Sequence, residues 1–495
     1  MKDDRMLLGI DIGTGSSKGV LVDTEGTPVS TAVRPHRTDS PRPGWFEHDP
    51  ETVWWEDAVA LVRRLLADVE SRRVAAIAVS GIGPCALIAD AEGNPLRQAI
   101  LYGIDSRATA EIERMTAELG EAEVLRACGN PLTTQAVGPK LAWLAEHEPD
   151  AAAAARRWFS CSSYVSYRLT GRYTADHYTA SVSDPLYDLR TGSWWPEAWR
   201  ACAPQIEPPE LAWPGDIVGH VDAQAANSTG LAAGTPVLSC GVDALAESYS
   251  AGCREPGDTM VMYGSTLFFI QLLDRQVTDP RLWAAVGRER GTHALAAGMS
   301  TGGLLATWFA GIAEREIATL AAEAAAVPPG ADGLVLLPYL AGERTPVEDP
   351  MASGCWLGLT LRHTRAHMFR SVFEGVAYGV RHNLETMGDA GARPGRLFAV
   401  GGGTAGGLWT SIVSSVTGLP QAIPKLTIGA SYGDARMAAD AVDIDTAEWN
   451  PVVQVVEPDT RAVPTYDALY RVYRQLYPDI RDVMHQLAAT APAPP

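Results

Sequence analysis

Basic charge is in short supply: 40 lysines and arginines stand against 59 aspartates and glutamates, a formal net charge of -19. Such a field repels phosphate backbones and anionic membrane surfaces, so neither nucleic acid nor a membrane is an expected partner. Cysteine is sparse and unpatterned. The seven residues Cys85, Cys128, Cys161, Cys202, Cys240, Cys253 and Cys355 are odd in number and never form a C-x-x-C pair, which argues against a disulfide framework and a zinc site. No apolar stretch approaches the length of a bilayer span. Lys2, Asp3, Asp4 and Arg5, with an apolar run broken at Asp11, lack the h-region of a secretory signal, and the expectation is a cytoplasmic protein. There is no tandem repeat of short period and no G-x-x-x-x-G-K-[ST] run, so neither a solenoid nor a P-loop nucleotide site is expected.

What is present is length. At 495 residues the chain exceeds what one hydrophobic core serves, and two lobes are the default. Met6–Ile12, Lys18–Val22 and Val29–Val33 read as short strands forming a meander, and Val74–Val79 as a buried strand. Thr259–Tyr263 and Leu267–Leu272 repeat the opening hairpin around Gly264-Ser265-Thr266. Apolar spacing predicts helices over Pro139–His147, Trp158–Leu169, Ser371–Met387 and Leu408–Val416, with a strand at Arg396–Val400. Strands mixed with helices in both halves predict an α/β protein with two related lobes, residues 1–239 and 240–495. The alanine run Ala151–Ala155 and the tail Ala491–Pro495 are the only odd pieces of composition.

Four local patterns carry chemistry. In Asp11-Ile12-Gly13-Thr14-Gly15-Ser16-Ser17-Lys18 a carboxylate at a strand end adjoins a turn of hydroxyls and N–H groups, which can cradle phosphate with Asp11 acting through Mg2+, directly or through water. An ordinary hairpin turn has the same local look. Tyr263-Gly264-Ser265-Thr266 is a second small-residue turn. In Gly241-Val242-Asp243 a buried strand delivers an acid just before a helix, as either an N-cap or a base that takes a proton from a substrate hydroxyl. Gly401-Gly402-Gly403-Thr404-Ala405-Gly406-Gly407 lies between strand and helix as nucleotide loops do, yet no acid follows before Gly433, which disfavours a dinucleotide site.

Taken in order with Asp105-Ser106-Arg107, Lys140-Leu141-Ala142-Trp143, Tyr167 to Gly171, Gly342-Glu343-Arg344-Thr345-Pro346 and Phe373 to Ala377, the set resembles the FGGY carbohydrate kinases over nearly the whole chain. The resemblance implies a two-lobed actin-like ATPase (ribonuclease H-like) fold with the active site in the interlobe cleft. It also implies ATP and Mg2+ as cofactors, a small sugar or polyol substrate, and a homodimer as the family expectation. It makes Asp243 the catalytic base and assigns Asp11, Gly13, Thr14, Ser17 and Lys18 to the magnesium and phosphate region. Ser265 and Thr266 become the second phosphate loop, and Gly302, Gly303, Gly402, Gly403 and Thr404 face the nucleotide.

The departures fall where a sugar is read. Ile82-Gly83-Pro84-Cys85 replaces the Gln-Met-His-Gly loop of xylulokinase-like members, and the Trp-Asn-Asp-x-Arg element appears one residue longer as Tyr102 to Arg107. Gly83, Pro84, Asp105 and Gln135 are the candidate substrate contacts, with a salt bridge to Arg107 as the alternative role of Asp105. A ketopentose such as xylulose is the leading acceptor. Glycerol or another short polyol is the alternative, and a non-catalytic actin-like nucleotide-binding protein is the rival from another class. Trp54, Trp55, Trp194 and Trp195 read as packing aromatics, and His363 with His367 lacks a third metal ligand.

Overall fold

The computed structural model describes residues 4–490; Lys2, Asp3 and the tail Ala491–Pro495 lie outside the described residues. Two compact units are present. One runs through Gly252 and adds Asp274–Ala294 and Ile428–Asn450; the other takes Cys253–Leu273, Leu295–Thr427 and the chain from Pro451 onward. The division expected after residue 239 is contiguous in sequence, whereas these units are not. Among the described residues no helix is long and apolar enough to cross a membrane.

The first unit is built on β1 (Met6–Ile12), β2 (Ser16–Asp23), β3 (Pro28–Pro35), β4 (Val74–Gly81), β5 (Ile217–His220) and β6 (Pro236–Val242), in the spatial order 5-6-4-1-2-3. β1 pairs antiparallel with β2 and parallel with β4, and β6 runs parallel to β4. Every residue of β1 is buried, Asp11 included, as expected of a strand covered on both faces. Leu8, Ile10, Ile77 and Val79 pack with Trp54 and Tyr164 in one core, so Trp54 is a packing residue, its Nε1–H donating to His48. The helix Ala430–Asp440 closes on β1 so tightly that a Cβ at Gly9 would overlap Ser431 O.

The stretch Trp158–Leu169, expected as one helix, divides. Arg157–Phe159 is a strand paired with Leu87–Ala89, and the helix Cys161–Thr170 begins after Ser160, whose N–H donates to Ser163 Oγ at 3.0 Å. That serine contact sets the helix start, and apolar spacing does not register it.

The second unit holds β7 (Thr259–Tyr263), β8 (Leu267–Leu273), β9 (His293–Met299), β10 (Leu397–Val400), β11 (Gln421–Pro424) and β12 (Val452–Val456), ordered 9-8-7-10-11-12. β7 and β8 form the expected second hairpin. The helix Arg365–Asp389 buries Val372, Val376, Val380 and Leu384, the stripe anticipated from spacing. Around its start His363 Nδ1 engages Thr360 and His367 Nδ1 engages Thr364, so both imidazoles serve local turns.

Candidate active site

In the first unit β1 and β6 bring their carboxylates to the same end of the sheet. Asp11 sits opposite Lys18 on β2 and beside Ser80 on β4. Asp243 is the first residue of the helix Asp243–Ala251; the N-cap is Val242, so the N-cap role is not the one it plays. Its Oδ1 accepts from the N–H of Ala244 at 2.7 Å, and part of its surface stays open to solvent. Glu247 follows one helical turn later.

These groups repel one another. Burial pushes Asp11 up to about 8, with Asp243 and Glu247 adding to the shift and Lys18 opposing it. Burial likewise raises Asp243 to about 6, against the Ala244 N–H and Lys18, and raises Glu247 to about 7, with Asp243 contributing. Asp434, on the helix Ala430–Asp440, is also buried and pushed well up, its Oδ2 accepting from Ser80 Oγ at 2.7 Å. Asp11 Oδ1 is buried with no hydrogen-bond partner. A hard divalent cation fits this arrangement, because it would satisfy that oxygen and relieve the crowded negative charge. Among the described residues no group of three or more His, Cys, Asp or Glu forms a ligand set alone. Mg2+ commonly completes its shell with water and substrate phosphates.

The first turn differs in detail from expectation. Gly13 N–H closes it on Ser16 O at 3.1 Å, and Gly13 O accepts from His36 Nε2. Thr14 Oγ1 meets Tyr102 Oη at 3.0 Å. Ser17 is wholly buried and donates to Asp57 Oδ2 at 2.6 Å, beside His36. Its hydroxyl is thereby committed to the interior, so it braces the turn and is not offered to phosphate. The N–H groups of Thr14 and Gly15 lack acceptors among the described residues and are what this turn presents.

Asp105 is not available as a free sugar ligand. Its two oxygens accept from the Arg107 backbone and guanidinium and from Phe46 N–H, the two side chains are wholly buried, and Arg107 also reaches Glu47 at 2.6 Å. The ion-pair alternative is the geometry present. Gln135 Oε1 accepts from Gly103 N–H at 2.8 Å, which holds the Tyr102–Asp105 segment. Gly83 is confined, since a Cβ there would lie 3.1 Å from Val242 and 3.2 Å from Ser160 Oγ. Cys85 beyond Pro84 is buried, and burial raises its thiol to about 12. Lys140 is buried with Nζ on Thr134 O, and burial lowers it to about 8 against the pull of Asp105.

In the second unit the turn Gly264–Thr266 is held by the start of the helix Gly303–Ala313. Gly302 N–H and Leu304 N–H donate to Ser265 O, and Gly303 N–H donates to Gly264 O, at 2.8 to 3.0 Å. A Cβ at Gly302 would displace Leu267 Cδ1 and stand 3.1 Å from Gly264 O, so glycine eases the close approach. The amides of Gly302 and Gly303 are spent on the turn, which makes these residues its buttress. Glu343 Oε1 accepts from Ser300 and Arg344 N–H, and Thr345 Oγ1 from Gly298 N–H, which ties the Gly342–Pro346 motif to the end of β9 just before that helix. Glu343 is raised to about 7 by burial. The Gly401 loop leaves β10 at φ +91°, with a Cβ there 2.7 Å from Tyr263 O. Gly403 lies against the Trp409 ring, Thr404 Oγ1 donates to Gly401 O, and Gly402 is exposed with nothing within 4 Å of a Cβ.

Glu247, Asp434, Ser80 and Lys140 were not singled out as site residues. Glu247 was legible, being four residues beyond Asp243 on one helix face. Asp434 was not, since it reaches Ser80 from 354 positions away.

Residues 6–248 match the N-terminal domain of the FGGY family of carbohydrate kinases, and residues 259–442 match its C-terminal domain. The chain belongs to this family. It is 27% identical to the xylulose kinase of Escherichia coli (strain K12), over 97% of this chain and 100% of that one. It is also 27% identical to a glycerol kinase of Deinococcus radiodurans, over 89% and 90%. The crystal structure of a xylulose kinase from Rhodospirillum rubrum superposes with a TM-score of 0.90 at 33% identity, covering 97% of this chain and 100% of that one. Plasmodium falciparum glycerol kinase with ADP, at 18% identity and a TM-score of 0.85, shares the fold. This FGGY kinase is therefore a mixed α/β protein of the two-lobed actin-like ATPase fold, and a phosphotransferase acting on an alcohol group of a sugar. The non-catalytic alternative falls away. Kinases of the family draw the phosphoryl group from ATP.

Proposed function

We propose that this FGGY kinase transfers the γ-phosphoryl group of ATP to a hydroxyl of a small sugar, with a ketopentose such as xylulose as the leading acceptor and Asp243 as general base. The observation that carries the reading is the placement of Asp243 at a helix start, part-open to solvent, raised to about 6 beside Asp11 and Lys18. A carboxylate with that pKa is ionised at neutral pH and still basic enough to take the hydroxyl proton as the oxygen attacks phosphorus and the bond to ADP breaks. Mg2+, held by Asp11 directly or through water, would neutralise charge on the phosphates. Lys18 and the open N–H groups of Thr14 and Gly15 serve the same oxygens. Ser265 and Thr266 are assigned to the phosphates, and Gly402, Gly403 and Thr404 to the adenosine.

The named xylulose kinases among the relatives support the ketopentose. A short polyol such as glycerol is the second reading, favoured by the loop at Ile82–Cys85, where Cys85 is buried and no polar side chain is offered. The test is Mg2+-dependent ADP release over ketopentoses, aldoses, alditols and glycerol, with Asp243→Asn alongside. One acceptor is expected to stimulate turnover strongly, and the variant to lose roughly 10²–10⁴-fold in kcat while ATP still binds. Near-normal turnover by the variant would refute the base assignment.

A further inference from the structure

The open N–H groups of Thr14 and Gly15 belong to two successive peptides, Gly13–Thr14 and Thr14–Gly15. A trans peptide points its N–H and its C=O to opposite sides, so whatever grips the two carbonyl oxygens aims the two donors. In both peptides the grip includes an imidazole. His36 Nε2 stands 3.0 Å from Gly13 O, and His48 Nε2 stands 3.2 Å from Thr14 O, where Thr38 Oγ1 donates as a second partner at 2.9 Å. The backbone N–H of His36 also donates to Gly15 O at 3.1 Å, which ties the whole turn to the end of β3.

Each ring is pinned in turn through its other nitrogen. His36 Nδ1 lies 2.8 Å from Asp57 Oδ2, and Asp57 also accepts from Ser17 Oγ at 2.6 Å and from Arg34 Nε at 2.7 Å. His48 Nδ1 accepts from Trp54 Nε1–H at 3.2 Å, which leaves the ring proton on Nε2, the nitrogen that faces Thr14 O. Burial, with the neighbouring His36 adding to it, holds His48 near 4, so the ring keeps this neutral form at neutral pH. The two rings meet edge to face with centroids 5.1 Å apart, over buried Asp57 and Trp54. Packing alone asks only for bulk here, whereas these rings direct one donor to each of two adjacent carbonyls.

On the reading that this turn serves the phosphates of ATP, we propose that His36 and His48 are positioning residues for phosphoryl transfer. They hold the Gly13 and Thr14 carbonyls from behind and so aim the N–H groups of Thr14 and Gly15 at the oxygens of the transferred group. Both act through the backbone and not on the substrate itself. Directed donors count most where charge develops during transfer, so their loss falls on kcat more than on KM.

Steady-state ADP release by the full chain at saturating sugar tests this. His36→Ala is expected to lower kcat roughly 10- to 100-fold, the cost of moving the donors by about 0.5 to 1 Å, and His48→Ala, with Thr38 still on the carbonyl, roughly tenfold. In both, KM for ATP stays within about threefold of the parent. Glutamine carries an N–H donor, and His48→Gln is expected to bring kcat back to within about threefold of the parent. The 15N spectra of histidine-labelled parent enzyme are expected to show a proton on Nε2 of both residues and none on Nδ1 of His48. Folded alanine variants with parental kcat, a His48→Gln variant no faster than His48→Ala, or a proton on Nδ1 of His48 overturns the proposal. Asp11→Asn separates the two levels: if it is inactive while the alanine variants keep their turnover, only the histidine roles fall, and if it turns over normally, the assignment of the turn to the phosphates falls with them.

Discussion

Gly303→Ala tests whether the turn Gly264–Thr266 sets the position of the transferred phosphoryl group. Three N–H donors from the start of the Gly303–Ala313 helix hold this turn, and a Cβ at Gly303 would stand 2.9 Å from Gly264 O. A backbone oxygen cannot swing aside as a side chain does, so the turn must retreat by about 0.5 Å to reach ordinary contact distance. A 1 Å misplacement costs about 10²-fold in rate, which scales to roughly tenfold in kcat for half that shift. The crowding itself costs about 1–3 kcal/mol of stability. Steady-state ADP release at saturating sugar reads kcat, calorimetry reads the fold, and titration with a non-hydrolysable nucleotide reads binding. A folded variant with kcat within twofold of the parent refutes the positioning role. Loss of nucleotide affinity at unchanged kcat assigns the turn to ground-state binding alone.

Gly402→Ala is the converse, because nothing lies within 4 Å of the added Cβ. Tm is expected to hold while KM for ATP rises several-fold, and an unchanged KM would remove this residue from the adenosine site. Asp105→Ala strands the wholly buried Arg107 side chain with Glu47 as its remaining acid partner, so thermal unfolding should show a loss of roughly 3–5 kcal/mol. Unaltered stability with a raised KM for sugar would instead return Asp105 to the substrate. Asp243, Glu247 and Asp11 are raised to about 6, 7 and 8, so the folded state keeps protons that the unfolded chain has already released near pH 4. Their contribution is present at low pH and lost as pH climbs through those values, by about 1.4 kcal/mol per pH unit for each extra proton retained. His48, held down near 4 by burial, acts with the opposite sign but only below the unfolded value of 6.5. The nucleotide-free Tm should therefore fall between pH 6.5 and 8, and less steeply with Mg2+ and nucleotide; a rising Tm contradicts the shifts.

Elements written as local apolar pattern were legible in the sequence. β1 occupies the expected Met6–Ile12 and β7 the expected Thr259–Tyr263, because each is a short, largely buried run that ends at a glycine-containing turn. The Leu408–Thr417 helix extends its expected range by one residue. What escaped depends on partners distant in the chain. Ser17 looked like a phosphate ligand until Asp57, 40 positions on, claimed its hydroxyl. Asp105 carried its alternative in view, with Arg107 two residues away, but its burial came from tertiary packing. The Gly302–Gly303 pair read as nucleotide-facing because glycine permits close approach, and sequence does not say to what.

The interleaving of the two units also bears on synthesis. The helix Ala430–Asp440 covers β1, where Gly9 admits Ser431 O, and meets the Asp243–Ala251 helix, where a Cβ at Gly433 would overlap Ala246 O. The first strand to leave the ribosome thus waits for one of the last helices. At about 5–20 residues per second, the nearly 200 residues between β6 and the end of that helix take roughly 10–40 s. Through that interval an apolar face of β1 lacks its native cover, which makes the nascent chain a candidate chaperone client and a fragment ending near residue 248 prone to aggregate.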